Sequence, residues 1–251
     1  RSTYEQSAIK IINALENDSV GYNRLSYLCD MFGPRLSGSK NLENSIDWVI
    51  KEMKNDGLSN VKGERVKVPT WIRGKESLKI LIPFEKKIRI LGVGGSVSTP
   101  KGGIRGEVVV VNSFEALEKI KRKVRGKIVL YNVPFTNYSE TVRYRYDGPN
   151  IAAKYGAIAS LIRSVGNGSM DNPHTGTMGE YKSFKKIPHA AITAEDAMMI
   201  DRIYKRGNRV VLNLKMEAKF VEDRWSRNVL AELRGSTFPE EVVVLGGHID
   251  S

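Results

Sequence analysis

The 251-residue sequence predicts an α/β fold with a second compact unit of mixed strands and helices in its middle. Apolar residues recur at helical spacing through the first third of the chain and at a period of two thereafter. Glycine-rich and polar stretches then bracket a self-sufficient set of short strands and helices. Near the end, a four-residue apolar run between proline and glycine has the pattern of a strand buried on both faces.

Leu25, Leu28, Cys29 and Phe32, then Leu42, Ile46, Val49, Ile50 and Met53, predict two amphipathic helices. Between them, Gly33-Pro-Arg-Leu-Ser-Gly-Ser39 breaks the first and caps the second. Pro34 cannot continue a helix, and Ser39 can accept from the free amides ahead of Leu42. Gly57 suits the left-handed end of the second helix. Val66 and Val68 alternate with Arg65 and Lys67, and Leu78, Ile80 and Ile82 alternate with polar or charged neighbours, predicting half-buried strands.

The clustered glycines of Gly92-Val-Gly-Gly-Ser96, followed by Thr99-Pro-Lys-Gly-Gly103, predict a domain junction. The expected segments are therefore 1–95, a second unit at 96–216, and 217–251. In the second unit, strands at 107–111, 127–131, 157–162 and 189–192 alternate with helices at 113–121, 149–155 and 194–205, before a strand at 210–216. Two further strands are expected at 228–233 and 241–245. The second would deliver Gly246-Gly-His-Ile-Asp250 to its carboxyl end, where open α/β sheets place active-site groups.

Forty Lys and Arg against twenty-eight Asp and Glu give a formal charge of +12, which raises a nucleic-acid or anionic-surface partner. The densest basic run, 119–127, reads as a helix end followed by a turn, and no aromatic and basic platform accompanies it. The expectation is a solvated basic face and no nucleic-acid partner. No apolar run approaches membrane-spanning length. Cys29 is the one cysteine, so no internal disulfide can form, and its place on an apolar helix face predicts a buried thiol. Three N-glycosylation sequons begin at Asn17, Asn137 and Asn167. The sequence starts at Arg1, so a signal peptide would lie outside it.

His248 and Asp250 form the one constellation that points to chemistry. In an extended segment, side chains two residues apart project to the same side. A neutral imidazole is the commonest metal ligand, and a carboxylate on its other nitrogen fixes the tautomer and raises its basicity. The pair can be a ligand with its orienter, or simply a satisfied turn, because a zinc site needs at least three protein ligands. His174, in the turn-rich Asn172-Pro-His-Thr-Gly176, and His189, after Pro188, read as turn or surface histidines. The missing ligands are expected beyond Ser251. No Gly-x-Ser-x-Gly elbow, Cys–His pairing or P-loop is present.

Several ordered segments carry a family resemblance. They are Phe32-Gly-Pro-Arg-Leu-Ser-Gly-Ser-Lys-Asn-Leu-Glu43, Trp71-Ile-Arg-Gly-Lys-Glu-Ser77, Leu91-Gly-Val-Gly-Gly-Ser96 and Arg125-Gly-Lys-Ile-Val129. Glu140-Thr-Val-Arg-Tyr-Arg145, Ala159-Ser-Leu-Ile-Arg-Ser164, Pro173-His-Thr-Gly176 and Gly247-His-Ile-Asp-Ser251 continue the series. Together they resemble the amino-terminal portion of the carboxypeptidase Q family of M28-type zinc metallopeptidases, from about Tyr22 to the last residue.

The resemblance implies an incomplete zinc-peptidase α/β domain with an inserted protease-associated domain. It implies a dizinc exopeptidase acting on dipeptides or small peptides, with two zinc ions per complete subunit. His248 maps onto a metal ligand and Asp250 onto the carboxylate that orients it, while the remaining ligands and the general base fall later in the family sequence. A chain ending at Ser251 is thus expected to be inactive alone. The family also implies a homodimer, glycosylation on the secretory route and a secreted or lysosomal location, with Asn137 where the family carries a comparable sequon. The other reading left open is a non-catalytic binding protein of the same architecture, acting through the protease-associated domain.

Overall fold

The structure is a computed structural model, and it describes every residue except Arg1, Asn17, Ser169, Met170 and Ser183. In chain order the helices are α1 (Ser2–Glu16), α2 (Val20–Phe32), α3 (Lys40–Asn55), α4 (Phe114–Lys119), α5 (Tyr138–Tyr146), α6 (Gly148–Lys154) and α7 (Ala194–Lys205). The strands are β1 (Ser59–Ile72), β2 (Glu76–Ile82), β3 (Lys86–Ile88), β4 (Ile90–Gly92), β5 (Ile104–Val111), β6 (Ile128–Tyr131), β7 (Ala159–Arg163), β8 (His189–Ile192), β9 (Val211–Met216) and β10 (Lys219–Glu232). The chain divides into two compact units: Arg1–Thr70 with Glu222–Ser251, and Trp71–Val221.

In the first unit the predicted break and cap are both present. α2 stops at Gly33, whose φ of 59° lets its N–H turn back to the Cys29 carbonyl at 3.0 Å. The Ser39 hydroxyl accepts from the Leu42 amide at 3.2 Å and starts α3, which buries Leu42 and Ile46. The expected burial of Cys29 does not occur, and its thiol is exposed. α2 packs on α3 through an aromatic cluster in which Tyr27 and Phe32 lie 5.1 and 5.9 Å from Trp48, and Cys29 falls on the side turned to solvent.

β1 and β10 pair as a two-stranded sheet. Ser59 bonds to the Glu232 carbonyl while Arg65 stacks over Trp225 at 4.5 Å, so the strands run in opposite directions. β10 extends the strand expected at 228–233 back to Lys219. The strand expected at 241–245 is not formed. A strand exists through its ladder partner, and among the described residues nothing pairs with this run, whose Val243 and Leu245 are 86% and 91% exposed.

The second unit is built on an eight-stranded sheet of order β3-β2-β9-β5-β6-β7-β8-β4. β5 to β8 are mutually parallel, and β9 turns the pairing antiparallel at β5. β6, Ile-Val-Leu-Tyr, is wholly buried, as a parallel strand covered on both faces must be. Val109, Val111, Val129, Tyr131 and Ile162 meet Leu117 of α4 and Ala152 of α6 in one apolar cluster. α7 packs against β5 and β7.

The domain border expected at residue 96 does not fall there. β2, β3 and β4 belong to the same sheet as the later strands, with Leu78 opposite Leu214, Ile80 opposite Leu212 and Leu91 opposite Ala191. The glycines taken as a junction serve close packing instead. A Cβ on Gly94 would lie 3.2 Å from the Thr177 methyl, and one on Gly103, at φ 96°, would lie 2.7 Å from the Leu214 carbonyl oxygen. The compact unit consequently starts at Trp71 and ends at Val221.

Two buried polar groups make this core testable. The Tyr131 hydroxyl donates to the Gly148 carbonyl at 2.8 Å inside the apolar cluster. Tyr131→Phe leaves that carbonyl without its donor and is expected to cost about 1–3 kcal/mol in urea denaturation. His189 is fully buried in β8, with Nδ1 2.8 Å from the Ser160 hydroxyl, and burial lowers its pKa to about 4. Because the folded value lies below the ordinary 6.5, the neutral ring's contribution is complete above pH 6.5 and is lost as pH falls toward 4. Stability is expected to decline over that window by at most about 1.4 kcal/mol per pH unit. His189→Gln should flatten the decline.

Candidate functional site

Residues 246–251 belong to no helix or named strand. The two candidate side chains meet: His248 Nδ1 lies 3.0 Å from Asp250 Oδ1. An ionised carboxylate only accepts, so a proton on Nδ1 faces it, and in the neutral ring Nε2 then keeps its lone pair. The imidazole side chain is 92% exposed and the Asp250 carboxylate 44%, so Nε2 is accessible.

This segment is held from the turn between α2 and α3. Arg35 and Ser251 exchange both backbone bonds, with Arg35 N–H to the Ser251 carbonyl at 2.7 Å and Ser251 N–H to the Arg35 carbonyl at 3.1 Å. That exchange is the hydrogen-bonded pair of an antiparallel ladder. The Arg35 guanidinium donates from Nε to the Ile249 carbonyl at 2.9 Å and from Nη2 to the Ser251 hydroxyl at 3.0 Å. Nη1 donates to the carbonyls of Gly33 at 2.6 Å and Leu28 at 3.3 Å. Arg35 is buried and makes no ion pair among the described residues, so carbonyl and hydroxyl oxygens carry its charge. In the sequence this turn reads as a helix break, and nothing there singles out Arg35. The available signal was a lone cation in Gly33-Pro-Arg-Leu36, with no periodicity to mark it.

The other histidines lie in the second unit. His174 is exposed, as expected of a turn histidine, with its backbone N–H on the Ser164 hydroxyl at 2.8 Å, and partial desolvation of the ring lowers its pKa. His189, expected at the surface, is a core residue because β8 is sandwiched within the sheet. Among the described residues, no group of three or more His, Cys, Asp or Glu side chains is arranged to hold a metal ion. The chemistry of the donors still fits zinc at one position: an imidazole with an exposed side chain and a carboxylate on its Nδ1.

Asn137 is exposed at the start of α5, where its Oδ1 accepts from the Glu140 amide at 3.0 Å. A glycan on Nδ2 would leave that cap in place. Asn167 is also exposed, while the serine of its sequon, like Asn17, lies outside the described residues. Among the described residues no helix is long and apolar enough to cross a membrane.

Carboxypeptidase Q of Bos taurus is 52% identical over 230 residues, covering 92% of this chain and 49% of that protein. The chain is homologous to carboxypeptidase Q. It spans about half the length of the curated relatives it matches. The crystal structure of a peptidase M28 precursor from Shewanella amazonensis superposes with a TM-score of 0.91 at 32% identity, over 98% of this chain and 57% of that one. The fold of this carboxypeptidase Q homologue is therefore that of the M28 peptidase over the shared region. A zinc aminopeptidase from Bacillus subtilis, 20% identical with a TM-score of 0.60 over 86% of this chain and 47% of its own, shares the fold more distantly. No family model matches the chain.

Proposed function

We propose that the full-length protein is a zinc-dependent exopeptidase of the M28 type, cleaving dipeptides or small peptides, and that His248 is one of its metal ligands. The observation that carries this reading is the His248–Asp250 contact at 3.0 Å, with Nε2 left available, in a chain half identical to carboxypeptidase Q. Asp250 holds the proton on Nδ1, fixes the tautomer and ring orientation, and raises the basicity of Nε2. Bound zinc supplies Lewis-acid polarisation of a scissile carbonyl and a nucleophile at neutral pH.

One imidazole and one orienting carboxylate do not fill the four positions of zinc. The remaining ligands, a second zinc and the general base are proposed to depend on residues other than those described, and this chain alone is proposed to lack peptidase activity. Trp71–Val221 is proposed to be a protease-associated domain. The exposed Asn137 supports a glycosylated protein on the secretory route, secreted or lysosomal, and a homodimer is proposed by homology.

Zinc content and dipeptide turnover of the purified full-length protein test the assignment. His248→Ala is expected to remove both, and Asp250→Asn to weaken both by roughly ten- to a hundredfold. Full zinc content in His248→Ala would contradict the ligand role, and equal, total loss in both variants would contradict the division of roles. A wild-type protein that binds zinc without turning over any dipeptide would favour the non-catalytic reading.

A further inference from the structure

The turn that joins α2 to α3 reaches the segment carrying the proposed ligand through Arg35, by its backbone and by its side chain. A buried guanidinium needs acceptors for its donors, and Arg35 makes four such bonds, two to the end of α2 beside it and two to a stretch that begins 214 residues on. On one side are the Leu28 and Gly33 carbonyls at the carboxyl end of α2, where the helix dipole favours a cation. On the other are the Ile249 carbonyl and the Ser251 hydroxyl. The Ile249 carbonyl belongs to the peptide group that enters Asp250, and Ser251 is paired to the Arg35 backbone just after it. Asp250 is thus anchored at both flanks, and the direction of its carboxylate toward His248 Nδ1 is set from outside the segment.

We propose that Arg35 is the positioning residue of the metal centre. It touches neither metal nor substrate; it fixes the backbone around Asp250, which in turn fixes the tautomer and heading of His248. The inference rests on the proposed role of His248 and adds the element that holds it. A lysine cannot substitute, because a single ammonium on a flexible stem cannot bridge two rims that the five-donor planar fork spans at once.

The test uses the full-length protein and zinc competition against a chromophoric chelator, together with the thermal midpoint of the metal-free protein and the ring ¹⁵N shifts of His248. Arg35→Ala is expected to weaken zinc binding by about ten- to a hundredfold, the usual loss for a group acting behind a ligand. Arg35→Lys should not restore it. Ser251→Ala removes one of the contacts and should weaken binding about fivefold, the share of one hydrogen bond. His248 should report the Nδ1–H tautomer in the wild type and a mixture in Arg35→Ala. Wild-type zinc affinity in Arg35→Ala, or full rescue by lysine, would overturn the proposal. If Arg35→Ala does not fold, Ser251→Ala decides, and wild-type affinity there overturns it. Zinc retained by His248→Ala would instead remove the underlying assignment, whatever Arg35 does.

Discussion

Removing a guanidinium from water is costly unless its donors are met, and that constraint organises the first unit around Arg35. With no carboxylate partner among the described residues, the charge is met by oxygens from the end of α2 and from residues 249–251. The early turn and the late segment are bound into one unit although the second unit intervenes in the sequence. The other ties of this unit follow the same logic of early residues meeting late ones. Arg227 of β10 reaches Glu43 and Asp47 of α3 at 3.1 and 2.8 Å, and β1 pairs with β10.

The second unit has its own organising strand. β5 is parallel to β6 on one side and antiparallel to β9 on the other, so it joins two kinds of ladder in one sheet. Its lower residues face β9 through Ile104 to Glu107, and its upper residues, Val108 to Val111, face β6. The parallel half is buried on both sides and carries a buried polar pair, Ser160 with His189, as well as the Tyr131–Gly148 bond. These contacts lie within Trp71–Val221, which accounts for its compactness as a unit of its own.

What the sequence made legible was what period and punctuation encode. The range 194–205 for α7 and 189–192 for β8 could be read from apolar runs, and Ser39 from its place as a cap. β2 and β9 were recognisable as strands, but their pairing was not, because partners 129 to 140 residues apart leave no local trace. The same blindness produced the misplaced border at residue 96: glycines at a chain junction and glycines at a close backbone approach look alike in sequence. Cys29 failed for a related reason, since an apolar stripe says which face would be buried but not whether another element covers it. Asn137 was found as a sequon, whereas α5, which it caps, was missed because its residues, Tyr138–Tyr146, show little apolar periodicity. At the site, His248 and Asp250 were visible through their spacing, and their contact agrees with it. Arg35 was invisible because its acceptors are backbone carbonyls, which every residue has.

The central claim is that this chain contributes a metal-binding imidazole presented through Nε2 and held by a carboxylate on Nδ1. Anomalous diffraction at the zinc edge from crystals of the full-length protein reads that arrangement directly. The account predicts a zinc peak about 2.0–2.1 Å from His248 Nε2, with Nδ1 on the Asp250 carboxylate. A zinc peak away from His248, or coordination through Nδ1 with Asp250 turned aside, would contradict it.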